Sequence, residues 1–290
     1  MPEKEVWETY PEIYHYTRFS SALLIIQSAT LRATRYDLLD DTQEINYSKD
    51  IIAQKLLEKF PGATIEDAKA ELENIFFKAM GNTIYITSFC GKNLDADHYH
   101  HDHGRSNMWK SYGTDESGSG CAIIFKTKNI FDRTKQYKDL LNMLPALIMD
   151  EVIYKGHNND KPDYCKRLNR FVENASNFIN NCNDRNSYSM DNLCTDQLYL
   201  MLLTKQPAFF EEREVRRGLC FKTNLQENPN PLNPPPKYYS IPFSPDEDIS
   251  GIIIGPHRKQ QERYKFLTSY LSKFSLENII VTKSEIPVKD

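Results

Sequence analysis

The chain has 290 residues, of which 40% are apolar and 26% charged, with 17 tyrosines and 15 phenylalanines. That length and apolar content support a full buried core and exclude a disordered chain. The net charge of −4 offers no cationic field, so sequence-independent binding of nucleic acid is not expected. The six cysteines show no C-x-x-C spacing, which excludes a zinc ribbon or a thioredoxin-type pair. "MPEKEVWETYPEIYHYT" has no signal-peptide core, and no apolar run approaches the ~18 residues of a membrane span. A cytoplasmic home is the expectation, with export by a signal-less route left open.

In chain order, "EIYHYT" (12–17) is aromatic and β-branched and predicts a strand. "FSSALLIIQSATLRAT" predicts a helix capped by Ser20 or Ser21, then a short strand over 31–34. An acidic connector, "RYDLLDDTQEINYS", leads to two helices broken at Pro61-Gly62, the second opened by a Thr64/Asp67 capping box and stopped at Gly81-Asn82. "TIYITSFC" and "GCAIIFK" predict two further strands. The stretch 160–206 predicts a helical insertion, "AFFEEREVRRGLCFK" an exposed edge strand, and 228–236 a proline-rich loop. The end predicts strand, helix and strand through "GIIIGP", "KQQERYKFLTSYLSKF" and "NIIVTK". Strands and helices do not alternate regularly. The expectation is therefore one α+β domain over 1–290, with a mixed or antiparallel central sheet and helices around it.

Four segments carry candidate chemistry. "DADHYHHDHG" gathers His98, His100, His101 and His103, which suit Zn²⁺ or Ni²⁺ by donor type. A contiguous loop must spend ordering entropy before it can coordinate, so solvation is the preferred reading and no essential metal is expected. A metal-dependent nuclease or hydrolase using these histidines with Asp40, Asp41 or Glu44 is the weaker alternative. In "YHYT", strand periodicity puts His15 and Thr17 on one face, offering an imidazole and a hydroxyl, or else a buried histidine satisfied by a carbonyl. In "NMWKSYG", Trp109 and Tyr112 stand three apart, so both rings can face one groove or pack in the core.

"FFEEREVRR" is the most informative. As a strand it places Glu212, Glu214 and Arg216 on one face. Two carboxylates beside a cation suit glycosyl transfer, where one steadies an oxocarbenium-like centre and the other orients an acceptor. A charged edge strand is the competing reading.

Together, "IYHYTRFSSALLIIQ", "LDDTQE", "ITSFC", "NMWKSYG…GSGCAIIF", "TKQPAFFEEREVRR" and "ISGIIIGP" resemble a bacterial family of unknown function. More distantly the chain resembles the ADP-ribosyltransferase superfamily. That resemblance implies an ADP-ribosyltransferase-like fold and NAD as ligand, in bacterial defence or as a toxin or effector. It implies His15, Tyr16 and Thr17 near the NAD ribose, with Arg18 and Arg32 as other anchors, and Thr87 or Ser88 on the middle strand. Tyr112 or Trp109 would stack on nicotinamide, Glu214 would be catalytic with Glu212 orienting the acceptor, and Arg216 would lie beside the cofactor. Glu214→Gln is then expected to abolish turnover with the fold intact. A nucleotide-binding sensor without turnover is the other alternative.

Overall fold

The computed structural model describes residues 5–39, 42–80, 84–92, 103–112, 120–141, 146–155, 161–180, 190–220 and 236–287. Asp40, Asp41, His98, His100, His101, the Gly81-Asn82 stop and most of the proline-rich loop lie outside them, as does the Glu44 side chain.

The N-terminal helix α1 (Val6–Thr9) leads into β1 (Glu12–Arg18), α2 (Phe19–Ser28) and β2 (Thr30–Arg35). Helices α3 (Thr42–Leu57) and α4 (Ile65–Met80) follow, then β3 (Ile84–Gly91), α5 (Ser106–Tyr112) and β4 (Gly120–Lys126). Next come α6 (Thr127–Leu141), β5 (Ala146–Glu151), β6 (Ile153–Tyr154), α7 (Pro162–Asn180), α8 (Met190–Leu203) and β7 (Thr204–Lys205). The last part holds β8 (Glu214–Cys220), β9 (Tyr238–Pro242), α9 (Pro245–Asp248), β10 (Ile249–Ile254), α10 (Gln260–Ser272) and β11 (Ile280–Lys283).

The Thr64/Asp67 capping box forms as the sequence predicts: the Asp67 amide donates to Thr64 Oγ1 at 3.2 Å and the Thr64 amide to the Asp67 carboxylate at 2.9 Å. At α2 the expected serine cap is absent. The helix begins earlier than that cap implies, at Phe19, with Arg18 at the cap position and no side-chain cap bond.

Among the described residues nine strands make one sheet, antiparallel except for the parallel β10–β11 pair, so the fold is α+β with a mixed central sheet. Apolar side chains cover both of its faces. One face carries the cluster of Ile84, Ile86 and Ile148 against α3, α4, α7 and α8, with a smaller cluster of Tyr14, Tyr16, Cys90, Met108 and Trp109 beside α5. The other carries Ile13, Phe89, Phe125 and Val215 against α2, α6 and α10. Period-two alternation decides which side chain goes where.

Strand β3 organises the site. Strand β8 pairs with it along Ile84–Cys90 and fills one edge. Both other partners must therefore use the opposite edge: β1 at Cys90 and Gly91, and β2 at Tyr85 and Ile86. Between those two footholds β1 and β2 diverge, because α2 connects them and needs room for its turns. Among the described residues, no strand pairs with Thr87, Ser88 and Phe89 on that edge. The sheet is split there.

Strand β8 is not the edge predicted from its charges. It lies between β3 and β5. Two of its charges, Glu214 and Arg216, are tolerated in the interior because they pair with each other and with Lys205, as described next.

Candidate functional site

A cleft of about 200 Å³ occupies the split, and residues of both strand parities line it. Tyr14, Tyr16, Ser88 and Cys90 belong to one face of the sheet, and His15, Thr87 and Phe89 to the other. A groove lying across one face would draw on one parity. This cleft instead opens into the gap between strands.

Among the residues singled out in the sequence, His15, Tyr16, Ser88, Tyr112, Glu212 and Glu214 line this cleft, as does Arg32. They come from β1, β2, β3, α5, the 3₁₀ segment before β8 and the first residue of β8, so only the folded sheet assembles them. Tyr112 lines the cleft and is 47% exposed. Arg32 stands on β2 with its guanidinium 4.7 Å from the Tyr238 ring centre.

Thr17, Trp109, Arg216 and Arg18 do not line it. Trp109 is buried, edge-on to Tyr16 at 4.8 Å, and its indole N–H donates to the His103 carbonyl at 3.1 Å. A Cβ on Gly104, which holds φ +74°, would come within 2.5 Å of that indole ring. The tryptophan is thus a core wedge that fixes α5 and, through it, Tyr112. Arg216 sits behind Glu214, and Arg18 serves as the α2 cap residue.

Glu212 and Glu214 do not share a strand face as the spacing predicts. The chain turns through a short 3₁₀ segment, Pro207–Glu212, and a left-handed Arg213 at φ 44° before β8 begins. A residue the sequence reading passed over brings the two carboxylates together. Lys205, buried at the end of "LYLMLLTK", donates to Glu212 at 2.7 Å and to Glu214 at 3.1 Å. Its one sequence signal is a lysine ending an apolar helical run shortly before the acidic pair. Arg216 adds two bonds to Glu214, from Nε at 2.7 Å and Nη2 at 2.9 Å, and bonds the Leu202 carbonyl at 2.9 Å through Nη1.

Burial by itself would raise the Glu214 carboxyl, but Arg216, Lys205 and a hydrogen bond from the Ser88 side chain outweigh it and hold it at about 2. Glu214 is ionised at every ordinary pH and its lone pairs are heavily engaged. This revises the expectation that Glu214→Gln is silent for folding, because removing the charge leaves Lys205 and Arg216 buried with one anion fewer.

His15 sits at the split, with Nδ1 3.3 Å from the Ser88 carbonyl and its ring 5.8 Å from Phe89. Burial lowers its pKa, the Ser88 carbonyl opposes that shift and nearby Arg217 adds to it. The ring is held neutral, and a proton on Nδ1 toward the carbonyl leaves Nε2 as an acceptor. Its strand parity places it on the sheet face opposite Glu214, so the two meet only across the gap. Cys90 is no nucleophile: burial pushes its thiol up to about 12, and it donates to the Glu212 carbonyl at 2.8 Å.

Of the four loop histidines, His103 is described and has a structural task. Its carbonyl accepts from Ser284 Oγ at 2.6 Å and its Nδ1 accepts from the Glu285 amide at 3.2 Å, which ties the C-terminal segment to α5. Among the described residues no group of three or more His, Cys, Asp or Glu side chains is arranged to hold a metal. None of the described helices is long and apolar enough to cross a membrane.

A mixed sheet split at β3, with a cleft in the split, defines the class of architecture. At the level of sequence, residues 108–217 match the profile of a family described as "Protein of unknown function (DUF2971)". The match runs from α5 into β8 and so includes Tyr112, Lys205, Glu212, Glu214 and Arg216. The expected resemblance to a family of unknown function is met over that stretch. No curated protein and no solved structure matches the chain.

Proposed function

We propose that the cleft binds NAD⁺ and that the protein transfers its ADP-ribosyl group to a macromolecular acceptor or to water. The observation that carries this reading is the convergence of Ser88, Tyr112, Glu212 and Glu214 on one cleft with His15 at its inner side. The Tyr112 ring offers a stacking face for nicotinamide. His15 Nε2 offers an acceptor for a ribose hydroxyl.

In the reaction the bond between nicotinamide nitrogen and ribose C1 breaks and its electron pair leaves with nicotinamide. Positive charge develops on the ribose, and the acceptor's lone pair closes onto C1 as its proton passes to bulk water. Glu214 contributes a fixed negative charge preorganised in a dry site, where stabilisation needs no reorganisation at the moment of reaction. Ser88 is the one neutral donor on Glu214, so its hydroxyl can rotate away and yield that place to a ribose hydroxyl. Glu212 is held by Lys205 and less buried than Glu214, which suits it to orient the acceptor.

One observation favours a second reading, a nucleotide sensor without turnover. Arg216 and Lys205 already compensate the charge on Glu214 that catalysis would use.

The test is incubation of the full chain with NAD⁺ and quantitation of free nicotinamide. Release by wild type, lost in Tyr112→Ala and Ser88→Ala variants that keep their melting temperature, supports transfer. Binding without release assigns the sensor. Neither binding nor release removes NAD⁺ from the site.

A further inference from the structure

Arg217 follows Arg216 and points to the opposite face of β8, where it meets a different environment. It is 2% exposed, and none of the described carboxylates pairs with it. Its polar contacts are two threonine hydroxyls, Thr134 Oγ1 and Thr87 Oγ1, each at 3.3 Å. Its Nε has no hydrogen-bond partner among the described residues. Both hydroxyls are also committed as donors, Thr134 to the Ile130 carbonyl and Thr87 to the Arg32 carbonyl. The Phe89 ring lies 5.7 Å from the guanidinium carbon. Burial pushes its pKa down to about 9, which still leaves the side chain protonated at neutral pH.

A buried cation without an anion is costly, and a fold gains nothing by keeping one for stability alone. The position of this one gives it a use. Thr87 and Phe89, which it touches, and His15, which feels its charge, all line the cleft in the split. The guanidinium therefore stands one side chain behind the inner wall, with a donor unsatisfied.

We propose that Arg217 and Thr87 form a receptor for a phosphate or diphosphate group at the inner end of the cleft. The cleft then takes a phosphorylated ligand with two distinct ends. The anionic part lies on the His15 side of the sheet and the planar part lies against Tyr112 on the other. This deepens the NAD⁺ reading and rests on it for the identity of the planar part alone. Diphosphate recognition requires only a cation and donors at the inner wall. The guanidinium fork suits the task, since it offers several N–H groups in fixed geometry to a tetrahedral anion.

The experiment is calorimetric titration of the full chain with inorganic pyrophosphate, ADP and adenosine, in wild type, Arg217→Met, Arg217→Lys and Thr87→Val. Wild type should bind pyrophosphate and ADP. Arg217→Met should lose about tenfold or more in affinity for both, as expected for a charged hydrogen-bonding partner, while keeping its affinity for adenosine. Arg217→Lys should fall between, since the charge remains and the fork is lost. Thr87→Val keeps the side-chain volume and the buried arginine, so it tests the receptor should Arg217→Met fail to fold. It should weaken pyrophosphate several-fold. Pyrophosphate affinity that is absent in wild type, or unchanged in Arg217→Met and Thr87→Val, overturns the receptor. Arg217-dependent pyrophosphate binding without nicotinamide release from NAD⁺ upholds the receptor and removes the transferase reading. Nicotinamide release with pyrophosphate binding indifferent to Arg217 overturns the receptor and leaves that reading standing.

Discussion

Arg216 and Arg217 are adjacent on one strand and have opposite electrostatic fates. Arg216 shares a face with Glu214 and closes a buried network in which Lys205 and Arg216 meet Glu212 and Glu214. Arg217, turned to the other face by the strand period, has hydroxyls and a phenyl ring where its neighbour has a carboxylate. Both are nearly inaccessible to water, so burial does not distinguish them. Compensation does. The balanced network reads as a fixed frame that holds two carboxylates at the cleft, and the unbalanced cation reads as half of an interaction that a ligand completes. One strand thus supplies the cleft with negative charge from one face and positive charge from the other.

The contrast can be broken by mutation. Glu214→Ala should have the largest effect, about 3–5 kcal/mol lost in chemical denaturation, because it leaves Arg216 and Lys205 buried with an anion missing. Replacing both partners, Glu214→Leu with Arg216→Met, should cost less than the sum of the single changes, with a coupling of about 1–3 kcal/mol read from the double-mutant cycle. Additive effects would show that the pair is not the unit described. Arg217→Met should cost no more than about 1 kcal/mol, since none of the described carboxylates pairs with Arg217 and Thr87 and Thr134 keep their carbonyl partners. A loss matching that of Glu214→Ala would erase the difference between the two arginines.

The smallest expected effect sharpens the comparison through pH. Glu214 is held at about 2 against an ordinary 4.5, so its folded value lies below its unfolded one. Its contribution is complete above the unfolded value and fades as the pH falls from about 5 toward 2. The acid limb of a stability-versus-pH curve should therefore be shallower by about one proton in Glu214→Leu/Arg216→Met than in wild type. Equal slopes would mean that Glu214 is not held ionised by the fold.

How far the sequence carried depended on whether local pattern or long-range pairing decided the feature. The strands of "IYHYT", "TIYITSFC", "GCAIIFK" and "GIIIG", and the Thr64/Asp67 capping box, are local and were legible. His15, Ser88, Tyr112 and Glu214 stand out in the sequence by their functional groups, and all four line the cleft. Their meeting place was not legible. It follows from β1 and β2 sharing one edge of β3, and no window of sequence contains that pairing. The edge reading of "EEREVRR" failed because a counter-charge for Glu214, Lys205, comes from β7, outside that run. Trp109 and Tyr112 stand on one short helix, yet the tryptophan became core because Gly104 and Gly255 leave room for its ring. Arg217 gave no signal at all, since a lone arginine in a strand reads the same whether or not an anion awaits it.

The claim on which the rest depends is that the split in the sheet is where the ligand sits. Among the described residues no strand pairs with Thr87, Ser88 and Phe89 on that edge, so their backbone is where a ligand in the split should be felt. Amide hydrogen exchange of the full chain, with and without saturating NAD⁺, reads this directly. The account predicts slowed exchange in peptides spanning Thr87–Phe89 and in those carrying Tyr112, with the distant α10 unchanged. Bound NAD⁺ that leaves the β3 peptides exchanging at their free rate would contradict it.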